Sequence, residues 1–354
     1  MKLCIITYGC AANRAESEIM AGLLKESGHS LVPEKEADII ILNTCAVKQV
    51  TEQKILDKIA KIRKPLVVAG CLPEVYGKKI RARNQNAALL GTHQLAKIAE
   101  VVDELSRGNS PIRTGILNAE KLGFPRVRSK AGTAIIEIAD GCLGNCSYCA
   151  TKLAKGPLFS YSPDSVIREV CCAVMQGCDR VWLTAQDTAA YGKDINASLP
   201  GLLKRLPEGD YQVRVGMMNP NTVLPILNGL LEAYRDEKVW KFLHLPLQSG
   251  SNEILRAMNR PYTTKNFEYV VNRFRKEFPD IKIWTDVIVG YPGETDAQFQ
   301  QTLDFVKKMK FDKVNVSRFA KRDKTEAAKL KQISTEIIKR RTETLHSLAE
   351  EKAS

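Results

Sequence analysis

Short apolar runs alternate with longer amphipathic stretches over the first hundred residues. The runs 3–7, 38–43 and 65–69 are almost wholly apolar, as is typical of strands buried on both faces of a parallel sheet. The stretches 15–27 and 51–63 between them repeat apolar residues at the helical period. This alternation predicts an α/β domain whose parallel sheet is covered by helices on both sides.

The same alternation returns, with longer helices, in the second part of the chain. Apolar runs predict six strands, at 134–139, 180–184, 211–217, 241–246, 281–289 and 313–319. The helical pattern lies between them, near 163–176, 198–206, 222–234, 264–277 and 295–309. Strand–helix units in this series predict a partial (β/α)6 barrel, open on one side, rather than the closed eightfold form.

A connector separates the two parts of the chain. Gly108-Asn109-Ser110-Pro111 ends the helical pattern of 94–106, because glycine and proline interrupt helices. We therefore predict an N-terminal domain at 1–107, a linker at 108–132 and a second domain at 133–354. The final segment, 325–354, mixes lysine, arginine and glutamate, which predicts a solvated helix.

Composition indicates a compartment and a class of partner. No apolar run reaches the length of a membrane span, and the apolar start is too short for a signal peptide. We therefore expect a cytoplasmic protein without membrane association, whose ten cysteines serve metal or redox chemistry rather than disulfides. Lysine and arginine number 53 against 40 acidic residues, a formal charge of +13. That excess favours a polyanionic partner such as nucleic acid.

Three of the cysteines form one compact motif, here called the radical triplet: Cys142, Cys146 and Cys149. Their spacing is C-x3-C-x2-C, directly after the apolar run 134–139. Three thiolates can hold three irons of a [4Fe–4S] cubane and leave the fourth iron open to another ligand. A zinc site would need a fourth Cys or His nearby, and none follows closely. Buried structural cysteines are the remaining alternative.

A second set, here called the auxiliary triplet, consists of Cys10, Cys45 and Cys71. Each of them lies just after a predicted strand of the N-terminal domain. Because the carboxyl ends of parallel strands face the same way, we expect these thiols at one edge of the sheet. This placement favours a second cluster with three protein ligands. Chance placement of buried cysteines is the alternative.

The radical triplet, with Tyr148 before its last cysteine, resembles the motif of the radical S-adenosylmethionine (SAM) enzymes. With both triplets, the chain is similar to the radical SAM methylthiotransferases along nearly its full length. The resemblance implies two [4Fe–4S] clusters, one on each triplet. It further implies that SAM is both methyl donor and radical source, and that a substrate C–H bond is replaced by C–S–CH3.

Within that family, the stretches 141–156, 183–192 and 215–220 resemble the archaeal and eukaryotic branch. This resemblance implies methylthiolation of carbon 2 of N6-threonylcarbamoyladenosine (t6A) at position 37, 3′ of the anticodon in certain tRNAs. Another tRNA adenosine or a ribosomal protein is the alternative substrate. An iron–sulfur carrier or scaffold is the alternative outside the enzymes. The sequence identifies neither the electron donor nor the sulfur donor.

The sequence also departs from the family pattern. The family usually has arginine where Lys155 stands, and arginine alone offers a planar fork of donors. Members also normally continue into a small RNA-binding β-barrel called TRAM, which we expect to be absent from this chain.

Loop position adds further candidate ligands. Residues in the cysteine loop or after predicted strands are expected to contact SAM, because barrels of this type build their sites there: Tyr148, Gln186, Asp187 and Ser249. Basic residues of nearby segments are expected to contact the anticodon loop: Arg126, Arg128, Lys152 and Lys155. The phosphates and splayed bases of such a loop suit a basic surface.

Overall fold

The computed structural model of the chain describes residues 1–46 and 49–350. It divides into two compact units. Unit 1 comprises Met1–Gly141 and Ala150–Val181, and unit 2 comprises Cys142–Cys149 and the residues from 182 onward.

Unit 1 is built around a parallel sheet. Its strands are β1 (Lys2–Thr7), β2 (Ser30–Leu31), β3 (Ile39–Thr44), β4 (Leu66–Gly70), β5 (Ala88–Gly91) and β6 (Ile112–Arg113). They lie in the order β2-β1-β3-β4-β5-β6, and each neighbouring pair is parallel. β3 and β4 are buried at every position, which explains why their sequences are apolar except for Asn43 and Thr44 at the end of β3.

Helices cover both faces of this sheet. They are α1 (Ala11–Glu26), α2 (Gln49–Lys61), α3 (Cys71–Arg83) and α4 (Ile98–Ser106). One apolar cluster joins alternate strand residues such as Ile40 to α2 and α3. The other joins their neighbours, such as Ile41, to α1 and α4. The predicted α/β domain is therefore confirmed.

The rest of unit 1 is formed by short elements and one longer helix. They are β7 (Thr133–Glu137), β8 (Ala139–Asp140), α5 (Thr151–Lys155), β9 (Phe159–Ser160) and α6 (Pro163–Met175). β8 and β9 form an antiparallel pair. Ser162 caps α6, because its side chain accepts a hydrogen bond from the Ser165 N–H.

Unit 2 continues the alternation of strands and helices. Its strands are β10 (Arg180–Thr184), within which the division between the units falls, β11 (Gln212–Val215), β12 (Phe242–His244), β13 (Lys282–Val289) and β14 (Lys313–Arg318). β10 neighbours β11, and β12, β13 and β14 form a parallel sheet. With β7, the six strands predicted for the second part of the chain are all present, as a partial (β/α)6 barrel requires.

The helices of unit 2 are α7 (Leu199–Leu203), α8 (Pro220–Val223), α9 (Leu227–Ala233), α10 (Asn252–Ala257), α11 (Thr264–Glu277), α12 (Asp296–Met309) and α13 (Thr335–Glu350). The single helix predicted at 222–234 is wrong. A 3-10 turn at Leu224–Ile226 separates α8 from α9, and Pro225 within it has no N–H to donate to a continuous helix.

The prediction of a solvated helix over 325–354 also needs correction. A 3-10 turn occupies Glu326–Lys329, and the helix itself begins only at Thr335. Leu345 is fully buried, and Arg341 forms ion pairs with Glu294 across 3.0 Å and Asp296 across 2.8 Å. One side of α13 therefore belongs to the core of unit 2. Residues 351–354 lie outside the described part of the chain.

Within the described ranges, no helix combines the length and the apolar character needed to cross a membrane.

Candidate cluster and cofactor sites

The auxiliary triplet lies at the carboxyl edge of the unit 1 sheet. Cys10 follows β1 and directly precedes α1, Cys45 follows β3, and Cys71 begins α3 after β4. β1, β3 and β4 are adjacent in the sheet, and Thr44 and Gly70 are in register at the ends of β3 and β4. The fold thus brings to one edge three thiols that are far apart in sequence.

Two asparagine side chains connect the loops that carry these thiols. Asn13 accepts a hydrogen bond from the Cys10 N–H across 3.3 Å, and its Nδ2 donates to Asn43 Oδ1 and to the Thr44 carbonyl, each across 3.2 Å. Asn43 donates in turn to the Asn13 carbonyl across 2.7 Å. Both asparagines are buried. They therefore fix the position of Cys10 relative to the strand that ends before Cys45.

Gly9 allows a close approach of the backbone at this edge. Its φ is +127°, a conformation that favours glycine. A Cβ at this position would lie 2.2 Å from Asn13 Oδ1 and 2.7 Å from the Cβ of Cys45. Any side chain at position 9 would therefore disturb both the asparagine pair and the second thiol.

A buried ion cluster, consisting of Glu16, Lys121, Glu137, Asp140 and Lys155, lies in the same unit. The Lys155 ammonium is 2.7 Å from Glu16 Oε1 and 2.8 Å from Asp140 Oδ1. The Lys121 ammonium is 3.0 Å from Glu16 Oε1 and 2.8 Å from Asp140 Oδ2. Glu137 lies 3.6 and 3.7 Å from the two ammonium groups. No side chain of the cluster is more than 6% exposed.

Three carboxyl groups of the ion cluster share two ammonium groups. Burial raises the pKa of Glu137 to about 7, although Lys121 and Lys155 favour its ionised form. Burial acts on Asp140 in the same direction, but the two lysines outweigh it and hold the pKa of Asp140 well below its usual range. With Glu137 protonated and Glu16 and Asp140 ionised, the cluster is electrically neutral.

The ion cluster acts on the auxiliary triplet through Lys155. Burial raises the pKa of the Cys71 thiol well above its usual range, and the Lys155 ammonium offsets part of that rise. Helix α5, which carries Lys155, packs near this thiol, since Ala154 and Cys71 belong to one apolar cluster. A buried cation of this kind suits an anionic set of thiolates.

The position of Lys155 in the buried ion cluster contradicts the expected contact of its side chain with RNA. Its side chain is 3% exposed, and its ammonium is bonded to Glu16 and Asp140. Arg126 is similarly buried and pairs with Glu169 across 2.7 Å. Neither side chain is available to a phosphate.

The other two RNA candidates are less enclosed. Arg128 donates to Gln176 across 3.3 Å, and Lys152 on α5 is half-buried. Contacts of these two residues with RNA stay predictions.

The radical triplet lies on a single loop that belongs to unit 2, and each of its cysteines is partly exposed. The Gly144 N–H donates to Cys142 Sγ across 3.2 Å. A Cβ on Gly144 would lie 3.4 Å from Cys142 Sγ and 3.8 Å from Cys146 Sγ, so these two thiols face a common point. Burial raises the pKa of Cys142 to about 11, which means that metal binding must displace its proton.

The loop is held by contacts within unit 2. The Ser147 N–H donates to the Met258 carbonyl across 3.1 Å, and the Ser147 hydroxyl donates to the Ala257 carbonyl across 3.0 Å. Asn259 donates to the Asn145 carbonyl across 2.7 Å. The residues that follow α10 therefore fix the cysteine loop from one side.

Arg260 is the most direct link between this loop and the strand ends, and sequence reasoning missed it. It is 7% exposed. Its Nη1 donates to Cys146 Sγ across 3.2 Å, its Nη2 donates to Asn219 Oδ1 across 2.6 Å, and its Nε donates to Tyr262 Oη across 3.1 Å. Hydrogen bonds to ligand sulfurs are one determinant of cluster reduction potentials.

Asp187 continues this network from the loop after β10. Its carboxylate accepts hydrogen bonds from Asn219 Nδ2 across 2.8 Å and from the Thr222 hydroxyl across 2.8 Å. It is 2% exposed, and burial raises its pKa. The structure therefore supports a role for Asp187 in positioning Asn219 and Arg260, not the direct SAM contact that loop position predicted.

The direct SAM contact expected of Ser249 is not supported either, because its side chain is fully buried and its hydroxyl accepts from the Ser251 N–H across 3.1 Å.

The residues next to Ser249 are better suited to bind a ligand. Gln248 adopts a φ of +66°. Among the buried side-chain atoms that have no hydrogen-bond partner in the described residues are Gln186 Oε1, Gln248 Oε1 and Ser251 Oγ.

Unpartnered buried acceptors are costly, and the amino and hydroxyl groups of SAM would satisfy them. Gln186 therefore remains a candidate from the sequence, whereas Gln248 and Ser251 are new. Tyr148 packs against an apolar cluster that includes Met258 and Tyr291, so its ring supports the cysteine loop.

No three described His, Cys, Asp or Glu side chains are arranged as ligands of one metal ion. A cubane makes a different demand, because each thiolate bonds a separate iron. The donor set of each triplet, three thiols on a fixed backbone, fits that demand.

Comparison with known proteins identifies the family. Residues 2–91 match the model "Uncharacterized protein family UPF0004", and residues 136–306 match the radical SAM superfamily. The chain is 46% identical over 357 aligned positions to a probable threonylcarbamoyladenosine tRNA methylthiotransferase of Pyrococcus horikoshii, covering 98% of this chain and 84% of that protein.

The chain belongs to the threonylcarbamoyladenosine tRNA methylthiotransferase family. Its members also occur in eukaryotes, and the threonylcarbamoyladenosine tRNA methylthiotransferase of Drosophila pseudoobscura is 37% identical, with 98% of this chain and 65% of that protein covered. The recognition of radical SAM methylthiotransferases from the two triplets is therefore confirmed.

Solved structures of other radical SAM enzymes share the fold. The methyltransferase TsrM of Kitasatospora setae superposes with a TM-score of 0.65 at 13% identity, covering 92% of this chain and 74% of that one. The cobalamin-dependent enzyme OxsB gives a TM-score of 0.57 at 11% identity, covering 99% and 56%. At such low identity these likenesses concern the fold alone.

Proposed function

We propose that this protein is a tRNA methylthiotransferase that converts t6A at position 37 to its 2-methylthio derivative. The observation that supports this proposal most directly is the pair of cysteine triplets in a chain of this family, each with its thiols on a fixed backbone. The formal charge of +13 supports an RNA substrate, whose anticodon loop offers phosphates and unstacked bases. The natural location of such an activity is the cytoplasm.

The auxiliary triplet is proposed to hold one [4Fe–4S] cluster and the radical triplet a second. When bound, the two clusters and SAM supply the sulfur and the means to activate an unreactive C–H bond. The chain's own residues position these groups. Asn13 and Asn43 set the auxiliary edge, Arg260 donates to a ligand sulfur of the other site, and Gln186 and Gln248 offer buried acceptors to SAM.

We propose that the domain boundaries predicted from the sequence also separate the functions of the chain. Residues 1–107 form the auxiliary domain, 108–132 a linker and 133–354 the radical SAM domain. The UPF0004 match at 2–91 and the radical SAM match at 136–306 support this division.

The test is anaerobic incubation of the reconstituted protein with SAM, a reductant, sulfide and tRNA that carries t6A. Nucleosides from the digested tRNA are then analysed by mass spectrometry. The proposal expects the 2-methylthio derivative of t6A with t6A-tRNA, and no product with tRNA that carries unmodified or isopentenylated adenosine. Formation of 5′-deoxyadenosine without any methylthiolated nucleoside would contradict the tRNA substrate. Failure to cleave SAM with both clusters present would instead favour a carrier or scaffold.

A further inference from the structure

One face of the unit 2 strands has an unusual composition. Along β13, buried residues alternate with partly exposed ones, so that Thr285 and Val287 are buried while Trp284 and Asp286 are half-exposed. Barrel interiors are normally filled with bulky branched apolar side chains. The half-exposed face here carries aromatic, cationic and hydrogen-bonding groups instead: Trp182, Arg214, His244, Trp284, Asp286 and Asn315. Such a lining suits a polar ligand rather than a packed core.

Arg214 is the centre of this face. Its guanidinium carbon lies 4.5 Å from the ring centre of Phe242, 5.2 Å from that of Trp182 and 5.8 Å from that of Trp284. Among the described residues, none gives its guanidinium a carboxylate or a hydrogen-bond acceptor. Burial lowers its pKa, as expected of a cation without an anionic partner. The three rings hold the planar fork in place, so little side-chain entropy remains to be lost on binding an anion.

A second cation lies on the same face. Lys313 is in register with Trp284, and its ammonium lies 4.5 Å from the Trp284 ring centre. It forms no ion pair with any residue of the described ranges. Because the strand register brings it to the ring that also contacts Arg214, two positive charges share this surface.

Asp286, the carboxylate on this face of the strands, already has hydrogen-bond partners. Asp286 accepts from His244 Nε2 across 2.8 Å and from Asn315 Nδ2 across 2.9 Å. Since a carboxylate only accepts, Nε2 carries the proton in this pair, and in that tautomer of the imidazole Nδ1 is an acceptor. The face therefore offers an unmatched guanidinium for an anion and a fixed acceptor for a hydroxyl.

We propose that this face binds the threonyl carboxylate of t6A, with Arg214 as the residue that pairs with it. This inference rests on the proposed function and specifies how the substrate is selected. The carboxylate and the neighbouring hydroxyl distinguish t6A from unmodified and isopentenylated adenosine. A guanidinium binds a carboxylate through two parallel hydrogen bonds, and His244 Nδ1 accepts from the hydroxyl. Lys313 adds charge without a fixed geometry.

The test compares two synthetic anticodon stem-loops, one with t6A and one with the methyl ester of t6A, which lacks only the negative charge. Binding to the anaerobically reconstituted protein with SAM is measured by fluorescence anisotropy. In the parent, esterification weakens binding roughly ten- to a hundredfold, the usual range for a lost charge-assisted hydrogen bond. In Arg214→Met, the t6A stem-loop should bind almost as weakly as the parent binds the ester, so that only the smaller part of the discrimination that Lys313 supplies remains.

Further variants keep the test interpretable. Lys313 is exposed, so Lys313→Met is expected to fold and to reduce the discrimination only in part. Arg235→Met is the matched control, because Arg235 is exposed and pairs with Glu277 across 2.7 Å on the surface. It should discriminate as the parent does. Iron content and SAM affinity, measured for every variant, should match those of the parent.

Several results would overturn the subsite. They are equal binding of acid and ester by the parent, discrimination by Arg214→Met as large as that of the parent, or an equal loss of affinity by that variant for an unmodified stem-loop, which would indicate a phosphate contact. Loss of SAM affinity in Arg214→Met would assign the arginine to SAM instead. Methylthiolation of the t6A stem-loop by the same parent preparation reports separately on the proposed function, so that its failure and the failure of the subsite are distinguishable.

Discussion

Arg260 Nη1 donates a hydrogen bond to the Sγ atom of Cys146 across 3.2 Å. The two residues are 114 positions apart, and both belong to unit 2. A cationic donor on a ligand sulfur stabilises the reduced, more negative state of a cluster. This relationship makes the arginine a positioning residue whose influence can be measured without any substrate.

Arg260→Gln should lower the reduction potential of the cluster on the radical triplet. The loss of one charge-assisted hydrogen bond corresponds to about 60 mV or more for a one-electron couple. Redox titration followed by electron paramagnetic resonance measures this shift. Arg256→Gln is the control, since Arg256 is exposed on α10 and donates to the Asn252 carbonyl of its own helix. An unchanged potential in Arg260→Gln with full iron content would refute the role.

Lys155→Met should destabilise unit 1 strongly. Removing one ammonium leaves Glu16 and Asp140 short of a partner in a fully buried site, and such changes cost roughly 3–5 kcal/mol. Lys155→Arg should cost less, because a guanidinium can bond both carboxylates. Urea unfolding of the cluster-free protein measures these losses. Lys152→Met, three residues earlier on α5, should cause a much smaller one, and equal losses in both methionine variants would contradict the account.

Glu137→Gln should change how stability depends on pH. Because the folded-state pKa of Glu137 is raised to about 7, its contribution is complete below its ordinary pKa and is lost as the pH rises through about 7. The variant keeps a neutral side chain throughout. Between pH 4.5 and 8 the free energy of unfolding of the parent should therefore fall by roughly 3 kcal/mol relative to the variant.

Urea unfolding at several pH values tests this difference. Glu208→Gln serves as the control, since the Glu208 side chain is 98% exposed and should show no comparable trend. A constant difference between Glu137→Gln and the parent across the pH range would exclude the proposed protonation.

Gly9→Ala should remove the auxiliary cluster and leave the other intact. The added methyl group would meet Asn13 Oδ1 and the Cys45 side chain, so the thiols could not keep their arrangement. After reconstitution we expect about four irons per chain instead of about eight. Gly28→Ala is the matched control, because Gly28 also has a positive φ but nothing within 4 Å of its Cβ position. Equal iron contents in the two variants would argue against this packing.

The sequence alone predicted the parts of the fold that follow local rules. Almost wholly apolar runs located β3 and β4, and the carboxyl ends of parallel strands placed Cys10, Cys45 and Cys71 at one edge. Both inferences need only periodicity and the direction of parallel strands. They hold because burial on both faces dictates the composition of such strands.

Contacts between distant segments were beyond such rules. Lys121 and Lys155 reach Glu16 from 105 and 139 positions away, and no spacing signals their meeting. The sequence does not show whether a lysine close to a cysteine loop is solvated or buried, and for this reason Lys155 was expected to contact RNA. Arg260 gave no signal for a similar reason, since only the folded loop brings it to Cys146.

Iron and sulfide counts after anaerobic reconstitution test whether each cysteine triplet holds its own cubane. We expect about eight irons in the parent and about four in each triple variant, Cys10→Ala/Cys45→Ala/Cys71→Ala and Cys142→Ala/Cys146→Ala/Cys149→Ala. If the first of these variants kept the full iron content of the parent, the auxiliary cluster and the sulfur transfer that depends on it would be contradicted.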